Sequence, residues 1–464
     1  MGMLRSGSST CWRTLLVETL SGAPPRYIAG MAEVHYRIER PTPRARYIVR
    51  HILENVVGVR ATDVSDPGSS RASGVPLLNY GEEQIEGAFN IKPSGGLDWA
   101  VGRIEDPDLR IGDLPVLFPV EGGDLPFDIF AASFFLLARL EELGPLPRDE
   151  HGRPRTRSML AARMGWIDRP LVDEWGLLLA EAWGRKDPTV KIPARRYRHL
   201  VTMDVDNGFK YLGREGWRTL GAAARDLFSG RAGLVRERVQ TLTGKRPDPY
   251  DVYECLKAMT REGVDRVIVN FLVAPRGPKD HAVGLRSELM RTRIQEVAQW
   301  AEVGIHPSYG SSDQHGKTGS EMTALTKVLD RPITSSRQHF LRMKLPNTYR
   351  ELEALGIQEE HSMGFADAIG FRAGTCTPFN YYDALAERET KLAIVPFAVM
   401  DSAMAYKLNW TPEEAVRRTT AMVETVKRVG GTFSAVWHER FLSDHGAERG
   451  WRQAIGSILQ AARS

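Results

Sequence analysis

From residue 198 onward the chain repeats one pattern: a short apolar run, a polar residue at its end, then a helical stretch. The first run is "HLVTMDVD", and comparable runs lie at 267–273, 303–306, 333–338, 368–372, 392–399 and 432–437. Between them, apolar residues recur at helical spacing over 250–261, 287–301, 321–328, 380–388 and 412–429. The last helical stretch opens with Thr411 and Glu414 at capping-box spacing. Strands alternating with helices form parallel βαβ units, and about seven of them predict a (β/α) barrel. Such barrels gather their chemistry at the C-terminal ends of the strands. Here those ends carry Asp, His and Arg.

At 464 residues the chain exceeds the roughly 250–300 at which single cores stop growing, so two domains are expected. The barrel takes 197–464, and residues 31–193 read as a smaller mixed α/β accessory domain. In that first half "PRARYIVRHILENVVG" predicts a helix from Pro43 with Gly58 as its stop, followed by a loop over 65–74. The run "LPFDIFAASFFLLARLEEL" at 125–143 predicts a buried helix, 144–157 a Pro/Arg/Gly loop, and 171–183 another helix. No constellation in this half has the character of a site. Residues 1–30 are rich in Ser and Gly and lack periodicity, as expected of a disordered leader or of a mis-assigned start with Met31 as the true one.

A net charge of +4 is too small to imply a nucleic-acid partner, and the Arg-rich stretch at 152–157 has no interleaved aromatic residue. Three scattered cysteines (Cys11, Cys255, Cys376) form neither a disulfide framework nor a CxxC zinc site. No apolar run approaches the roughly 18–20 residues of a membrane span, and "LLVETL" near the start is too short for a signal peptide. The expected compartment is therefore the cytoplasm. Nothing in the sequence fixes an oligomeric state.

Five strand ends carry the candidate chemistry. "TMDVDNG" places Asp204 and Asp206 at the end of the first barrel strand. Three readings stay open for this Asp-x-Asp: a glycosyltransferase holding a metal on a nucleotide sugar, a phosphatase of the Asp-x-Asp-x-Thr type, which fits less well because Gly208 stands where its Thr should be, or two carboxylates in a surface turn. A calcium loop is excluded, because its turn glycine is misplaced and a strand precedes it. "EVGIHPSYGS" ends on His306, a candidate ligand because neutral imidazole suits zinc. "SSRQHFL" ends on His339, with Arg337 alternating beside it. "GFRAGTCTPF" carries Arg372 into a turn, where it could orient a carboxylate and lower its pKa. "GTFSAVWHE" ends on His438 and Glu439.

In this order the motifs resemble those of the polysaccharide deacetylase family, the chitin and peptidoglycan deacetylases, over about 198–452. "TMDVD" is similar to that family's Thr-Phe-Asp-Asp motif, which implies Asp204 as catalytic base and Asp206 as metal ligand. "GIHPSY" resembles its His-(Ser/Thr)-x-x-His motif, implying His306 as a ligand. "GFRAGTCTPF" resembles its Arg-x-Pro-Tyr motif, implying that Arg372 positions the base. "FSAVWHE" resembles the final strand, implying His438 as the acid, with Asp401 after "IVPFAVMD" orienting it. More closely, the chain resembles a bacterial subgroup that pairs this barrel with an uncharacterised N-terminal domain, through "LPFDIFAASFFLLARLEE", "DPYDVYE", "HPSYGS", "SRQHFLR" and "GFRAGT". Two departures stand out. Val205 separates the aspartates, and Tyr309 and Gly310 stand where the second His of the metal motif is expected. His339, which also ends a strand, is the expected replacement.

The implied activity is a metal-dependent hydrolysis of an N-acetyl group on a sugar or glycan precursor, with a divalent ion, zinc by preference. A non-catalytic carbohydrate-binding protein and an Asp-x-Asp glycosyltransferase are the alternatives. Basic residues in the insertion at 229–246, Arg236, Arg238 and Lys245 among them, would either line the approach of an anionic precursor or form a solvated helix pair.

Overall fold

The computed structural model describes residues 32–463 apart from 100, 101, 103 and 105–108. The expected leader, Met31 and Cys11 lie outside the described residues. The chain is mixed α/β and is built on two parallel sheets. The first runs in the order β2-β1-β3-β4, from β1 (Glu33–Ile38), β2 (Arg60–Asp63), β3 (Leu77–Tyr80) and β4 (Phe89–Ile91). A short antiparallel pair, β5 (Arg110–Ile111) and β6 (Leu114–Pro115), follows.

Local chemistry explains the helices of this half. Thr42 caps the helix Pro43–Arg50 by accepting from the Ala45 N–H at 3.1 Å, and Pro43 fills a first-turn position where no N–H is needed. Gly58, at φ 85°, closes the wider turn that continues it. The stretch 67–73, expected as loop, is the helix Pro67–Ser73, capped by Asp66. Every residue of the helix Ile129–Leu137 is buried. Its cap, Asp128, also accepts from the Tyr80 hydroxyl and the Ser94 N–H, both at 2.9 Å, which fastens the helix to β3. The helix stops short of 143 because Arg139 turns to φ 54°. That turn places its guanidinium 2.9 Å from Glu142 and 3.1 Å from Glu141.

The second sheet has the order β12-β13-β11-β10-β9-β8-β7-β15-β14. It comprises β7 (Arg198–Val205), β8 (Arg266–Phe271), β9 (Glu302–Ile305), β10 (Ser335–Ser336), β11 (Glu359–Glu360), β12 (Phe379–Asp383), β13 (Arg388–Ile394), β14 (Val399–Met400) and β15 (Thr432–His438). All neighbours are parallel except the β12–β13 hairpin. Beyond β13 the backbone changes partners. Val395 N–H donates to Glu360, Phe397 N–H to Met363, and Ala398 N–H to Ser434. The stretch from β13 into β14 thus leaves β11 and ends on β15.

Two expected elements differ. Residues 380–388 form the β12–β13 hairpin rather than a helix, because Tyr381 and Tyr382 are both buried and Glu387 turns at φ 51°. Residues 368–372 form turns rather than a strand. There Gly370 N–H donates to Ala398 and Phe371 N–H to Ile167, so the backbone bonds to two loops. Gly370 has φ 133°, and a Cβ on it would lie 2.1 Å from the Ile167 carbonyl oxygen.

One apolar core runs continuously between the two halves. Buried polar links cross with it. Asp173 pairs with Arg195 at 2.9 Å and accepts from the Thr375 hydroxyl at 2.7 Å and the Cys376 N–H at 2.9 Å. Among the described residues no helix is long and apolar enough to cross a membrane.

Candidate metal centre

Side chains along a strand point alternately to its two faces, so Thr202 and Asp204 share one side of β7, and Asp206 opens the turn that follows Val205. Both carboxylates line the same cavity. On the other side of the strand Met203 and Val205 pack into the core. The register sets Asp204 between Asn270 of β8 and His438 of β15. Asn270 donates to Asp204 at 3.0 Å. Gly304 on β9 makes room for it, since a Cβ there would lie 2.2 Å from Asn270 Oδ1.

Asp206, His306 and His339 offer ligand atoms that all lie within 4.8 Å of one another. The Nε2 atoms of His306 and His339 face Asp206 Oδ1 at 3.4 and 3.5 Å. Each ring is oriented from behind. His306 Nδ1 lies 2.6 Å from the Arg337 carbonyl oxygen, and His339 Nδ1 lies 2.9 Å from the Asp280 carboxylate. A proton on each Nδ1 leaves both Nε2 lone pairs aimed at one point, the arrangement of a metal-binding histidine with its carboxylate or carbonyl partner. Asp206 Oδ1 is buried and has no hydrogen-bond partner. A buried carboxylate oxygen without a donor is costly unless a cation satisfies it, so the residues present fit a divalent ion.

The charges agree with that fit. Burial would raise the Asp206 carboxyl, but His306, His438, His339 and Arg440 hold it well below the usual carboxylate range. Burial likewise disfavours a charged His306, yet Asp204 and Asp206 raise its pKa. The carboxylates that draw a proton onto this imidazole would equally draw a cation, so protons and metal compete for the site. Glu439 fixes the turn after β7, accepting from the N–H groups of Asp206 and Asn207 at 3.2 and 2.7 Å.

Two further pairs flank the cluster. His438 Nδ1 lies 2.6 Å from Asp401 Oδ1, and the His438 N–H donates to Asp401 Oδ2 at 2.7 Å. Its Nε2 lies 4.0 Å from Asp206. Burial opposes a charged His438, but Asp401 and Asp206 hold its pKa up at about 9. Asp204 is held by Arg337, whose Nη1 donates to it at 3.1 Å and to the Thr202 hydroxyl at 2.6 Å. Burial would raise the Asp204 carboxyl, and the Arg337 guanidinium outweighs it, keeping the group below the usual range.

Arg372 does not reach Asp204. Its guanidinium forks onto Glu142, at 2.9 and 2.6 Å. Burial would raise Glu142, but Arg372 and Arg139 together lower it to about 2. The turn that carries Arg372 is bonded to the N-terminal half, which points its side chain away from the strand ends. The insertion residues also lie elsewhere. Arg238 is buried against Asp226 at 2.7 Å, and neither Arg236 nor Lys245 lines the cavity.

A cavity of about 420 Å³ opens over the cluster, and the N-terminal half supplies part of its wall through His151 and Arg153. These residues sit on a tight turn closed by a bridge between Arg148 and Pro154. Arg153 donates to the Phe340 carbonyl at 2.9 Å, and Arg342 donates to the His151 carbonyl at 2.9 Å. His151 Nδ1 lies 3.0 Å from the Tyr309 hydroxyl. The turn thereby braces the segment after His339, where Phe340 and Leu341 take φ of 59° and 53°. Sequence reasoning found no site residue in the first half, because a Pro/Arg/Gly loop carries no periodic signal. Asp280, in another such loop, was equally silent. Arg337 had a legible signal: it falls in the strand expected at 333–338, and an Arg buried there is rarely tolerated without a partner.

Comparison with known proteins adds little to this geometry. A family described as a family of unknown function, DUF7033, matches residues 34–188. No curated protein matches the chain. Among solved structures, a protein named as a polysaccharide deacetylase from Mycobacterium smegmatis is 14% identical with a TM-score of 0.37, covering 58% of this chain and 86% of that one. One so named from Pseudomonas aeruginosa PAO1 is 13% identical with a TM-score of 0.36, covering 57% and 84%. A 7,8-dihydropteroate synthase from Vibrio fischeri ES114 is 12% identical with a TM-score of 0.26, covering 58% and 94%.

Proposed function

We propose that the chain is a metal-dependent hydrolase that removes an N-acetyl group from a sugar or glycan precursor. The observation that carries this reading is the set Asp206, His306 and His339 around one buried, unpartnered carboxylate oxygen, flanked by Asp204–Arg337 and Asp401–His438. We read the parallel strands, joined through the bent β13–β14 stretch, as a distorted barrel over 197–464, with 31–193 as an accessory domain. A cytoplasmic setting belongs to the same proposal.

A divalent ion held by the three ligands, zinc by preference, would lower the pKa of a water to about 7 and polarise the acetyl carbonyl. Asp204, kept ionised by Arg337 and Asn270, is placed to take the proton of the attacking water. His438, kept protonated by Asp401, is placed to give a proton to the departing amine. The cavity wall around Tyr406, Met400 and Leu341 gives the sugar an apolar face to lie on. The glycosyltransferase reading leaves His306, His339 and His438 unexplained, although all three line the cavity with the two aspartates.

Acetate release from a panel of N-acetylated sugars tests the reading. The pH profile carries the sign. His438 is protonated below its raised pKa and loses its proton above it, so the rate should fall on the alkaline side, at or below about 9. His438→Ala should lower the rate and abolish that limb. Absence of acetate release from every N-acetylated sugar, or an unchanged alkaline limb in the variant, would count against the proposal.

A further inference from the structure

The insertion after β7 contains an amphipathic helix turned inside out. In the helix Gly216–Phe228, positions 217, 220, 224, 227 and 228 fall on one face and carry Trp, Leu, Ala, Leu and Phe. In a globular protein such a stripe faces the core. Here Trp217 is 68%, Leu220 73%, Leu227 60% and Phe228 90% exposed. The opposite face presents Thr219, Ala222, Ala223 and the buried Asp226 to the protein. The following helix Ala232–Leu242 packs beside it and adds exposed Val239 and Leu242.

The same segment concentrates positive charge. Residues 216–246 hold seven basic side chains against two acidic ones. Arg225, Arg236 and Lys245 are exposed and pair with no carboxylate among the described residues. The hairpin is anchored to the loops that follow β7 and β15. Glu237 accepts from Lys210 at 3.1 Å and from the Tyr211 hydroxyl at 2.9 Å, in the loop after Asp206, and lies 2.6 Å from His445, in the loop after His438.

We propose that this hairpin docks the chain on an anionic lipid bilayer. A stripe of Trp, Leu and Phe flanked by unpaired Arg and Lys has the chemistry of an interfacial helix: the apolar side chains enter the acyl boundary while the cations meet phosphates. Trp suits that depth because its ring is apolar and its N–H finds a polar partner. The charge argues for lipid over a second copy of the chain, since two such hairpins face to face would set their unpaired cations against each other. The surface stands independently of the chemistry proposed for the site, because no residue of the hairpin lines the cavity.

Sedimentation of the full-length protein with lipid vesicles tests this without any activity assay. The chain should bind vesicles of phosphatidylcholine mixed with phosphatidylglycerol at least about tenfold more tightly than phosphatidylcholine alone, and added salt should weaken the binding. The variant Trp217→Ser, Leu220→Ser, Leu227→Ser, Phe228→Ser should lose at least about tenfold while keeping its circular dichroism, because these side chains are exposed. Arg225→Glu, Arg236→Glu, Lys245→Glu should lose the preference for the anionic lipid, and it keeps the test alive if the serine variant misfolds. No binding to either vesicle, equal binding to both, or unchanged binding by both variants would overturn the proposal. So would self-association of the wild-type chain that the serine substitutions abolish.

Discussion

Asp204→Asn is expected to leave metal content and folding intact while turnover drops by a factor of about 10² or more. Asparagine is isosteric and can still meet the Asn270 amide and the Arg337 guanidinium through its oxygen, so the local packing survives. It cannot take a proton from water, and that loss is the whole of the expected effect. Asp204 is not placed as a ligand. Its Oδ1 is engaged by Asn270 and Arg337, whereas Asp206 carries the open oxygen. Equal metal binding with lost turnover therefore separates a base from a ligand. A variant that lost metal, or one that turned over near the wild-type rate, would contradict the assignment.

Arg337→Ala should be nearly as damaging, for two reasons that can be measured apart. The side chain is fully buried, and it binds the His361 carbonyl at 2.9 Å as well as Thr202 and Asp204. Removing it leaves a buried carboxylate without its cation, a change that typically costs about 3–5 kcal/mol, read as a lowered midpoint in denaturant. The pH dependence gives the second signature. The Asp204 pKa is depressed in the folded chain, so its contribution to stability is present above the unfolded value and fades as pH falls through the folded one. Without Arg337 that pKa rises, and the acid limb of the rate profile should move to higher pH. Arg372→Ala makes the control. It should destabilise the chain through Glu142, though by less because Arg139 still pairs with that carboxylate, and it should leave the acid limb where it is. An acid limb that moved with Arg372 and not with Arg337 would reverse the two roles.

The exchange of these arginines shows where sequence reasoning reached its limit. Strand ends were legible because burial and the two-residue alternation of a strand are local properties. They located Asp204, Asp206, His306, His339 and His438, and the structure brings these together at one end of the second sheet. Which buried Arg meets which carboxylate is a long-range fact. Glu142 and Arg372 are 230 residues apart in sequence, and nothing in "GFRAGTCTPF" announces a partner in the other half. The helix expected at 380–388 failed for a related reason. A short stretch of mixed polarity satisfies a helical pattern and a hairpin equally well, and packing of Tyr381 and Tyr382 decided between them. His151 and Arg153 reach the cavity because a whole half of the molecule is docked beside it, a relation that no local periodicity encodes. The inverted stripe at Trp217 is the opposite case. Its spacing is that of any amphipathic helix, and only the fold reveals which way it faces.

The most direct test of the account is metal analysis of the purified full-length chain and of three single variants. The wild-type protein should bind one divalent ion per chain. Asp206→Asn and His339→Ala should lose it, and Asp280→Ala, which removes the carboxylate behind His339 and its bond to the Tyr309 N–H, should weaken affinity by about 10–100-fold. If His339→Ala instead keeps the wild-type stoichiometry and affinity, the three-residue centre is not the metal site, and the hydrolase built on it falls with it.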